Sequence, residues 1–565
     1  MALKTMCLCP TPIIFKRALW SFQELLLLYI PIPTLSHTTM RLSYSLAFLF
    51  SIGVAISQPT QNDCSALASK VQLDLPFTVN FAQYVMPNTT IDPTAEGTNI
   101  TCASGAPPPL PIPIAFCRLS LRVETTESSE IYMETWLPDG WEGRTLTVGN
   151  GGLAGCIQYS DLANGASLGF ASIGSNNGHN GTSGGAFLNQ PEVVKDFASR
   201  AVYTSTVVGK TIAKQYYGRE YDKSYYIGCS MGGRQGWEAV QNAPELFDGV
   251  IAGAPAINAY AHTGYFGYAL QTLGFNSSSI SLSQWAAVQA AVFEQCDGLD
   301  GARDGILEDP SACEFDWTPV ICAENSASPC LTPEQAKQAA TLFAPISFNN
   351  TPIHPGLRHG FETAFVSNVY TNLVQTWLPE IFRYLVYSDI SWDQTTFTLE
   401  DALNAIQSNA GELGTFNAQI SAFRDRGGKI LHWHGLVDEF LSETISTLYY
   451  NNVQKELNAT VAELDNFYRY FRPSGVAHCF GGPGANVMGQ WGQMGASNDP
   501  DDNMLVRIVE WVEKGHAPEY VRGTKFVNDT IALGKHFSRK HCKYPKVNHY
   551  RGNGDGLDEE GWECM

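Results

Sequence analysis

The sequence is poor in charge, and poorest in positive charge. Charged residues make up 16% of the 565, and 35 Lys and Arg stand against 55 Asp and Glu, giving a formal net charge of -20. This balance argues against nucleic acid and anionic membranes as partners, because their phosphates attract Lys and Arg. Beyond residue 57 no apolar run is long enough to span a bilayer. An internal repeat is also absent from the sequence, so a repeat protein is not indicated.

The composition that is present is typical of a large folded protein. Aromatic residues reach 12%, which disordered chains do not carry. A length of 565 residues exceeds what one hydrophobic core usually supports. We therefore expect a large domain with an insertion or a second domain.

The amino terminus contains a predicted signal peptide that begins at Met40. A basic residue, Arg41, precedes an apolar run from Leu46 to Val54, and small residues stand before Gln58. We expect translation to start at Met40, residues 1–39 to be an upstream extension, and the mature chain to begin near Gln58. The alternative is that Leu25–Ile30 belongs to a longer leader.

The cysteine count indicates an oxidising compartment. Of 14 cysteines, Cys7 and Cys9 fall in the part expected to be removed. The remaining cysteines are even in number, so we predict six disulfides in a secreted, extracellular protein. The glycosylation sequons agree with that compartment, and they begin at Asn88, Asn99, Asn180, Asn276, Asn349, Asn458 and Asn528.

The order of predicted elements indicates an α/β fold. Strand patterns at 130–138, 145–148 and 170–173 are followed by a helical pattern at 191–217, and strands return at 248–253, 428–433 and 466–472. Such alternation predicts a mostly parallel sheet with helices on both faces. Residues 58–130 are predicted to be a loop-rich, disulfide-stapled entry. The catalytic domain is then 58–255 with 426–565, interrupted by an inserted lid at 256–425.

A candidate nucleophile stands where a strand pattern passes directly into a helical one. The junction is Gly228-Cys229-Ser230-Met231-Gly232, which fits the G-x-S-x-G turn of a nucleophile elbow. Small residues around the serine allow a strained turn that exposes the hydroxyl.

A serine nucleophile needs a histidine base and an acid that orients it. In α/β-hydrolases these follow the serine in the order acid, then histidine. Asp438 and His478 each follow a predicted strand in that order. The alternatives for these two roles are His432, His434 and His516 for the base, and Asp425 and Asp465 for the acid.

Two cysteines adjoin two of these candidates. Cys229 directly precedes Ser230, and Cys479 directly follows His478. A disulfide holds its Cα atoms within about 7 Å, so a Cys229–Cys479 bond would make the serine and the histidine neighbours. The pattern therefore favours His478 over the other histidines.

These residues resemble the CS-D-HC motif of the fungal tannase and feruloyl esterase family, and most closely its type B feruloyl esterases. The resemblance covers nearly all of the mature chain, including Gly149–Cys156, Gly228–Gly236, Phe423–Lys429 and His541-Cys542 with Cys564. It implies an α/β-hydrolase fold with a lid, in which Ser230, Asp438 and His478 are nucleophile, acid and base. It also implies the remaining disulfide pairs, which are Cys64–Cys117, Cys102–Cys156, Cys296–Cys313, Cys322–Cys330 and Cys542–Cys564.

The glycine run Gly149–Gly155 is predicted to contribute to an oxyanion hole. Hydrolases of this fold take one N–H from the residue after the nucleophile, here Met231, and another from an early glycine loop, here Gly151 or Gly152. The run also superficially fits a dinucleotide fingerprint. That alternative is disfavoured because no clear helix follows in the sequence and because Cys156 is a better disulfide partner.

An acidic loop in the predicted lid is a candidate calcium site. Asp297, Asp300 and Asp304 stand at short spacing among glycines, and Ca²⁺ prefers carboxylate and carbonyl oxygens. From composition alone, a solvated acidic loop explains the pattern equally well. The family resemblance implies a structural calcium held by these three side chains and by the carbonyls of Ala302 and Ile306.

The resemblance implies a carboxylic ester hydrolase that acts on hydroxycinnamoyl esters of plant cell-wall polysaccharide. Two alternatives remain, namely a tannase acting on galloyl esters and a non-catalytic binding protein with a hydrolase-like fold. The choice between the esters depends on lid side chains that the sequence does not identify.

Overall fold

The computed structural model of the chain describes residues 60–94, 96, 98–103, 112–324, 329–370, 372–490, 492 and 495–565, with only the backbone at 103, 372 and 373. The predicted upstream extension, signal peptide and mature start near Gln58 lie outside the described residues. None of the described helices is long and apolar enough to cross a bilayer.

A mixed sheet of nine strands forms the centre of the fold, in the order β1-β2-β3-β5-β4-β6-β7-β10-β11. The pairs from β1 to β5 along this order are antiparallel, and those from β5 to β11 are parallel. The described strands are β1 Phe77–Val85, β2 Phe116–Thr126, β3 Ser129–Pro138, β4 Arg144–Val148, β5 Phe170–Ser175, β6 Lys223–Cys229, β7 Gly249–Gly253, β8 Ile346–Phe348, β9 Thr351–His354, β10 Lys429–Trp433, β11 Tyr468–Phe471, β12 Tyr520–Phe526, β13 Lys535–Cys542, β14 Asn548–Tyr550 and β15 Trp562–Cys564.

Helices connect the parallel strands and cover the sheet. The described helices are α1 Gln61–Lys70, α2 Tyr159–Ser167, α3 Pro191–Lys195, α4 Ala201–Tyr217, α5 Met231–Asn242, α6 Ala259–Leu273, α7 Leu282–Cys296, α8 Pro333–Phe343, α9 Glu362–Val369, α10 Asn372–Glu380, α11 Leu399–Ser408, α12 Ser421–Asp425, α13 Glu443–Glu456, α14 Val461–Leu464 and α15 Met504–Lys514. Strands β7 and β11 are buried at every residue, as expected for parallel strands covered on both faces. The α/β-hydrolase class predicted from the sequence is thus the observed fold.

The entry segment, predicted at 58–130 to be rich in loops, contains more regular secondary structure than expected. It contains helix α1 and two long strands, β1 and β2, which pair antiparallel along their length. Strand β2 is buried at its first six residues. Its partner β1 lies some thirty residues earlier in the sequence, across a proline-rich stretch. The pairing of the two strands therefore depends on non-local contacts. The turn residues between them led to the prediction of loops.

The helix predicted at 191–217 is broken into two α-helices by one wider turn. Residues Asp196–Arg200 form a π-turn between α3 and α4. The buried guanidinium of Arg234 donates a hydrogen bond to the Ala198 carbonyl within that turn. A π-turn loosens the helical hydrogen bonds, and this carbonyl takes its donor from α5 instead.

The segment predicted as a lid lies between β7 and β10 and is mainly helical. It contains α6 to α12 and the short β8–β9 hairpin. Its buried side chains form a core that also includes Leu153, Met231 and Val437 from the region around the candidate nucleophile. Residues Ile56–Met565 form one unit, so the lid boundaries at 256 and 425 stay a prediction.

A buried charge network joins β2 to β3. Glu134 accepts hydrogen bonds from Arg118 at 2.6 and 2.7 Å, from the Trp136 indole at 2.8 Å and from the Tyr159 hydroxyl at 3.1 Å. The side chains of Arg118 and Glu134 are 1% and 0% exposed. A buried ion pair of this kind depends on both partners, because either charge alone would be left without solvent.

We expect Glu134→Ala to lower the free energy of unfolding by about 3–5 kcal/mol, because it leaves the Arg118 guanidinium buried without its main partner. Urea denaturation followed by circular dichroism measures the change. The matched control is Glu130→Ala on the same strand. Its pair with Arg122 is more than half exposed, so its contribution is expected to be below about 1 kcal/mol. Equal midpoints for the two variants would contradict the prediction.

Candidate active site

Ser230 lies in a sharp turn between β6 and α5. Its backbone has φ 63° and ψ -124°, a strained conformation for a residue with a Cβ. The turn is held because the Ser230 N–H donates to the Gly253 carbonyl at 3.0 Å, and the Ser230 carbonyl accepts from Ala256 N at 3.1 Å. A Cβ on Gly228 would lie 2.6 Å from the Gly232 carbonyl oxygen. The predicted strand–turn–helix elbow is therefore present, and its small residues are sterically required.

Ser230, His478 and Asp438 are joined by hydrogen bonds. The Ser230 Oγ lies 2.9 Å from His478 Nε2, and His478 Nδ1 lies 2.7 Å from Asp438 Oδ2. Asp438 Oδ1 accepts from the backbone N–H groups of Phe440 at 2.9 Å and Leu441 at 2.8 Å. This is the geometry in which a histidine can take the proton of a serine hydroxyl while a buried acid orients the ring.

The competing candidates have other partners. His432 is buried among Tyr468 and Ser446, and His516 is exposed and faces Glu510. Asp425 pairs with Arg424, and Asp465 pairs with Lys543. His434 does reach Asp438, at 3.0 Å, but its other nitrogen faces Ser446. Of the named candidates, His478 is the one whose ring bridges Ser230 and an aspartate.

The surroundings shift the pKa values of the acid and the histidine in opposite directions. Burial opposes the charged form of His478, but the charge and hydrogen bond of Asp438, with a smaller effect of Glu439, raise its pKa above the ordinary value. Burial alone would raise the pKa of Asp438, yet His478 and His434 lower it below its usual range. The carboxylate thus stays ionised beside a histidine that is a stronger base than free imidazole.

The Cys229–Cys479 disulfide joins the residue before the serine to the residue after the histidine. Its Cα atoms are 6.0 Å apart across 250 residues of sequence. The other predicted pairs are present as well, and they are Cys64–Cys117, Cys102–Cys156, Cys296–Cys313, Cys322–Cys330 and Cys542–Cys564. All six disulfides expected from the sequence are therefore found, with the predicted connectivity.

The glycine loop that follows β4 is fixed against the N-terminal part of α5. The Asn150 N–H donates to Gln235 Oε1 at 2.9 Å, and the Asn150 side-chain amide donates to the carbonyls of Cys156 and Ser175. Met231 is the first residue of α5, where a backbone N–H has no acceptor within the helix. The loop and the helix start are thus neighbours, as an oxyanion hole requires, and the roles of Gly151, Gly152 and Met231 stay predictions.

The same loop differs from the sequence expectation in one respect, since a helix does follow it. Helix α2 begins at Tyr159. Between the glycines and that helix, Cys156 is disulfide-bonded to Cys102. A dinucleotide fingerprint opens directly into its helix, and here a stapled loop intervenes.

Sequence reasoning missed several residues around the site. Trp377 of the lid has its indole edge 3.9 Å from the point that a Cβ of Gly152 would occupy, and its Nε1 donates to Thr263 Oγ1 at 2.9 Å. Phe440 packs edge-on against the His478 ring, with centroids 5.4 Å apart. Both aromatic side chains are half-buried. No local motif marks them, because the folding of distant segments brings them to the site.

The three aspartates of the acidic loop accept hydrogen bonds from protein donors. Asp297 Oδ1 accepts from Gly305 N at 3.0 Å, Asp300 Oδ1 from Ala302 N at 3.0 Å, and Asp304 Oδ2 from the Arg539 guanidinium at 2.8 Å. Across the described ranges, no group of three or more His, Cys, Asp or Glu side chains is arranged to hold a metal ion. A calcium site therefore stays a prediction.

The fold and the Ser–His–Asp arrangement define a serine hydrolase of the α/β class. Comparison with known proteins gives the family. The profile described as "Tannase and feruloyl esterase" matches residues 117–565. A relative from Aspergillus clavatus named "Probable feruloyl esterase B" is 42% identical over 530 residues, which is 92% of this chain and 99% of the relative.

Solved structures agree with that assignment. An esterase from Aspergillus oryzae superposes with a TM-score of 0.85 at 41% identity, and feruloyl esterase B from the same species with 0.83 at 40%. Each match covers 89% of this chain and 100% of the other. The chain belongs to the tannase and feruloyl esterase family, and it is a carboxylic ester hydrolase.

We expect Asp438→Asn to reduce kcat/KM by about 10³–10⁴-fold and to move the acid limb of its pH profile to lower pH. The base must be neutral, so activity falls as the pH drops through the pKa of His478. Asp438 raises that pKa, and without its charge the opposing effect of burial dominates. Measured kcat/KM against pH checks this, with the surface variant Asp425→Asn as control. An unshifted acid limb in Asp438→Asn would contradict the pKa assignment.

Proposed function

We propose that this protein is a secreted serine esterase that hydrolyses feruloyl and related hydroxycinnamoyl esters of plant cell-wall polysaccharide through an acyl-enzyme. One observation carries the mechanism, namely the hydrogen-bonded series Ser230 Oγ, His478 Nε2, His478 Nδ1 and Asp438 Oδ2. The names of the relatives favour the feruloyl substrate.

The chemistry follows from these contacts. Ser230 Oγ attacks the ester carbonyl carbon while His478 Nε2 accepts its proton. The oxyanion that forms is stabilised by the N–H of Met231 and by that of Gly151 or Gly152. The carbon–oxygen bond to the alcohol then breaks, and His478 gives its proton to the leaving oxygen. Water, activated by the same histidine, attacks the acyl-serine and releases the acid and the free Ser230.

Aromatic side chains beside the site support an aromatic acyl group. Trp377 borders the glycine loop, and Phe440 borders His478. A Cβ on Gly151 would meet no atom within 4 Å, so there is open space beside this loop. A planar ring gains from offset or edge-on contact with such side chains.

Secretion is supported by the six disulfides and by the exposure of the sequons. Stable disulfides persist in oxidising compartments. Six of the seven sequon asparagines are exposed, and Asn99 is half-buried. The proposed substrate is a small or polysaccharide-linked phenolic ester, and neither nucleic acid nor a membrane is proposed as a partner.

The family also includes tannases, so galloyl esters are the second candidate substrate. We expect the protein to hydrolyse methyl ferulate faster than methyl gallate, and Ser230→Ala to abolish both activities with an unchanged circular dichroism spectrum. Chromatographic detection of the released acids measures both rates. Rapid hydrolysis of gallate alone would overturn the feruloyl proposal, and an active Ser230→Ala variant would overturn the site.

We further propose that the acidic lid loop holds a structural calcium ion through Asp297, Asp300, Asp304 and the carbonyls of Ala302 and Ile306. Carboxylate and carbonyl oxygens, which this loop offers, are the ligands that a hard cation such as Ca²⁺ prefers. Burial raises the pKa of Asp300 to about 6, and the charges of Glu308 and Asp304 add to the effect. Burial and Asp304 also raise the pKa of Asp297. A bound cation would relieve this repulsion and stabilise the loop, away from the reacting serine.

We expect added CaCl₂ to raise the melting temperature of chelator-treated protein, and Asp300→Asn to abolish that rise, because a ligand that binds the folded state stabilises it. Thermal denaturation with and without calcium measures the effect. Asp316→Asn, which changes an exposed aspartate outside the loop, is the control. An identical response of the two variants would overturn the calcium site.

A further inference from the structure

The catalytic acid has a second histidine partner. Asp438 Oδ2 accepts from His478 Nδ1 at 2.7 Å and also lies 3.0 Å from His434 Nε2. The side chains of His434 and Asp438 are both fully buried. With Oδ1 bound to two backbone N–H groups, the carboxylate has four donors, which is close to all that it can accept.

The ring of His434 is fixed in one orientation. Its Nε2 also lies 3.0 Å from the Leu441 carbonyl oxygen, and its Nδ1 lies 2.7 Å from Ser446 Oγ. A carbonyl oxygen can only accept, so Nε2 carries a proton and donates to both Leu441 and Asp438. In the neutral ring Nδ1 is then the acceptor for the Ser446 hydroxyl.

A buried chain of hydrogen bonds extends behind that ring. Ser446 Oγ lies 3.1 Å from His432 Nε2, and His432 Nδ1 lies 2.8 Å from the Tyr468 hydroxyl. Burial lowers the pKa of His432 well below its ordinary value, so that ring is neutral. Because Ser446 donates to His434, it accepts from His432, which in turn accepts from Tyr468. Each donor in the chain therefore points towards Asp438.

We propose that His434 is a positioning residue for the reaction, which shares the Asp438 carboxylate oxygen with His478 and thereby limits how strongly that carboxylate stabilises the protonated base. The proposal rests on the proposed function of Ser230, Asp438 and His478. His434 acts through its contact with Asp438. Chains of hydrogen bonds strengthen one another in a buried environment, so Ser446 and His432 support the donor at Nε2.

Other ionisable groups face the same site. Glu439 Oε2 accepts from the backbone N–H of His478 at 3.1 Å, and its pKa is raised by burial and by Asp438. From the segment predicted as a lid, fully buried His262 has a pKa lowered to about 3 by burial. His262 is therefore neutral over the working range. Glu439 is unchanged in every variant considered below. A difference between the variants in the acid limb of kcat/KM therefore reports on His478.

The test compares His434→Leu with His434→Gln. Leucine removes the donor, so Asp438 Oδ2 interacts with His478 alone and the protonated base is stabilised more. We expect the acid limb of kcat/KM to move up by about one pH unit, the size of one charge-assisted hydrogen bond. KM should stay unchanged, and kcat at the optimum should change by less than about tenfold. Glutamine can donate to Asp438 and accept from Ser446, so its profile should match that of the unmodified protein.

The matched control is His541→Leu. His541 is another buried histidine and lies on β13, outside the site. Its Nε2 lies 2.8 Å from the carbonyl oxygen of Ala485. This variant should lose stability without a change in the pH profile. If His434→Leu does not fold, Ser446→Ala replaces it. That variant weakens the Nε2 donor from behind, so a smaller shift in the same direction is expected.

An unchanged acid limb in folded His434→Leu, or in Ser446→Ala when the first variant fails to fold, would overturn the role of His434. A shift of equal size in His434→Gln would also overturn it, because that variant keeps the donor. Ser230→Ala is assayed in parallel. If it is inactive while His434→Leu behaves like the unmodified protein, the inference about His434 fails alone. If Ser230→Ala is active, the proposed function fails.

Discussion

The Cys229–Cys479 disulfide is the constraint on which the active site depends. It closes 250 residues of chain, including the whole predicted lid, onto the turn that carries Ser230. Bonds that close long loops remove much of the entropy of the unfolded chain. The same bond places His478 beside Ser230, so a stabilising cross-link also fixes the distance between nucleophile and base. Strain in the Ser230 turn is sustained by this link and by the neighbouring backbone hydrogen bonds.

Three buried acids of the described residues are each surrounded by hydrogen-bond donors. Glu134, Asp438 and Glu308 are all buried acids with hydrogen-bond donors around them. The network of Arg118 and Glu134 only holds strands together, whereas that of Asp438 also sets the basicity of His478. Both sites rely on the strength of hydrogen bonds to charged groups in a medium of low dielectric constant. They differ because only Asp438, of these two acids, contacts the histidine beside Ser230.

The segment predicted as a lid packs against residues of the candidate site. Its buried core is continuous with Leu153 and Met231 next to the proposed oxyanion hole, and Trp377 stands against the glycine loop. A change in the packing of this segment would therefore reach the residues proposed to bind the acyl group.

The elbow around Ser230 and the order of acid and histidine could be predicted from the chain alone, and the family resemblance added the six disulfides. These depend on local turn sterics and on cysteines that stand next to key residues, so they are legible in the chain. It did not reveal the strand pair β1 and β2, the π-turn at Asp196–Arg200, Trp377 at the site, or the contact of His434 with Asp438. These features emerge on folding, because strand pairing, burial and the direction of a hydrogen bond depend on partners far away in sequence.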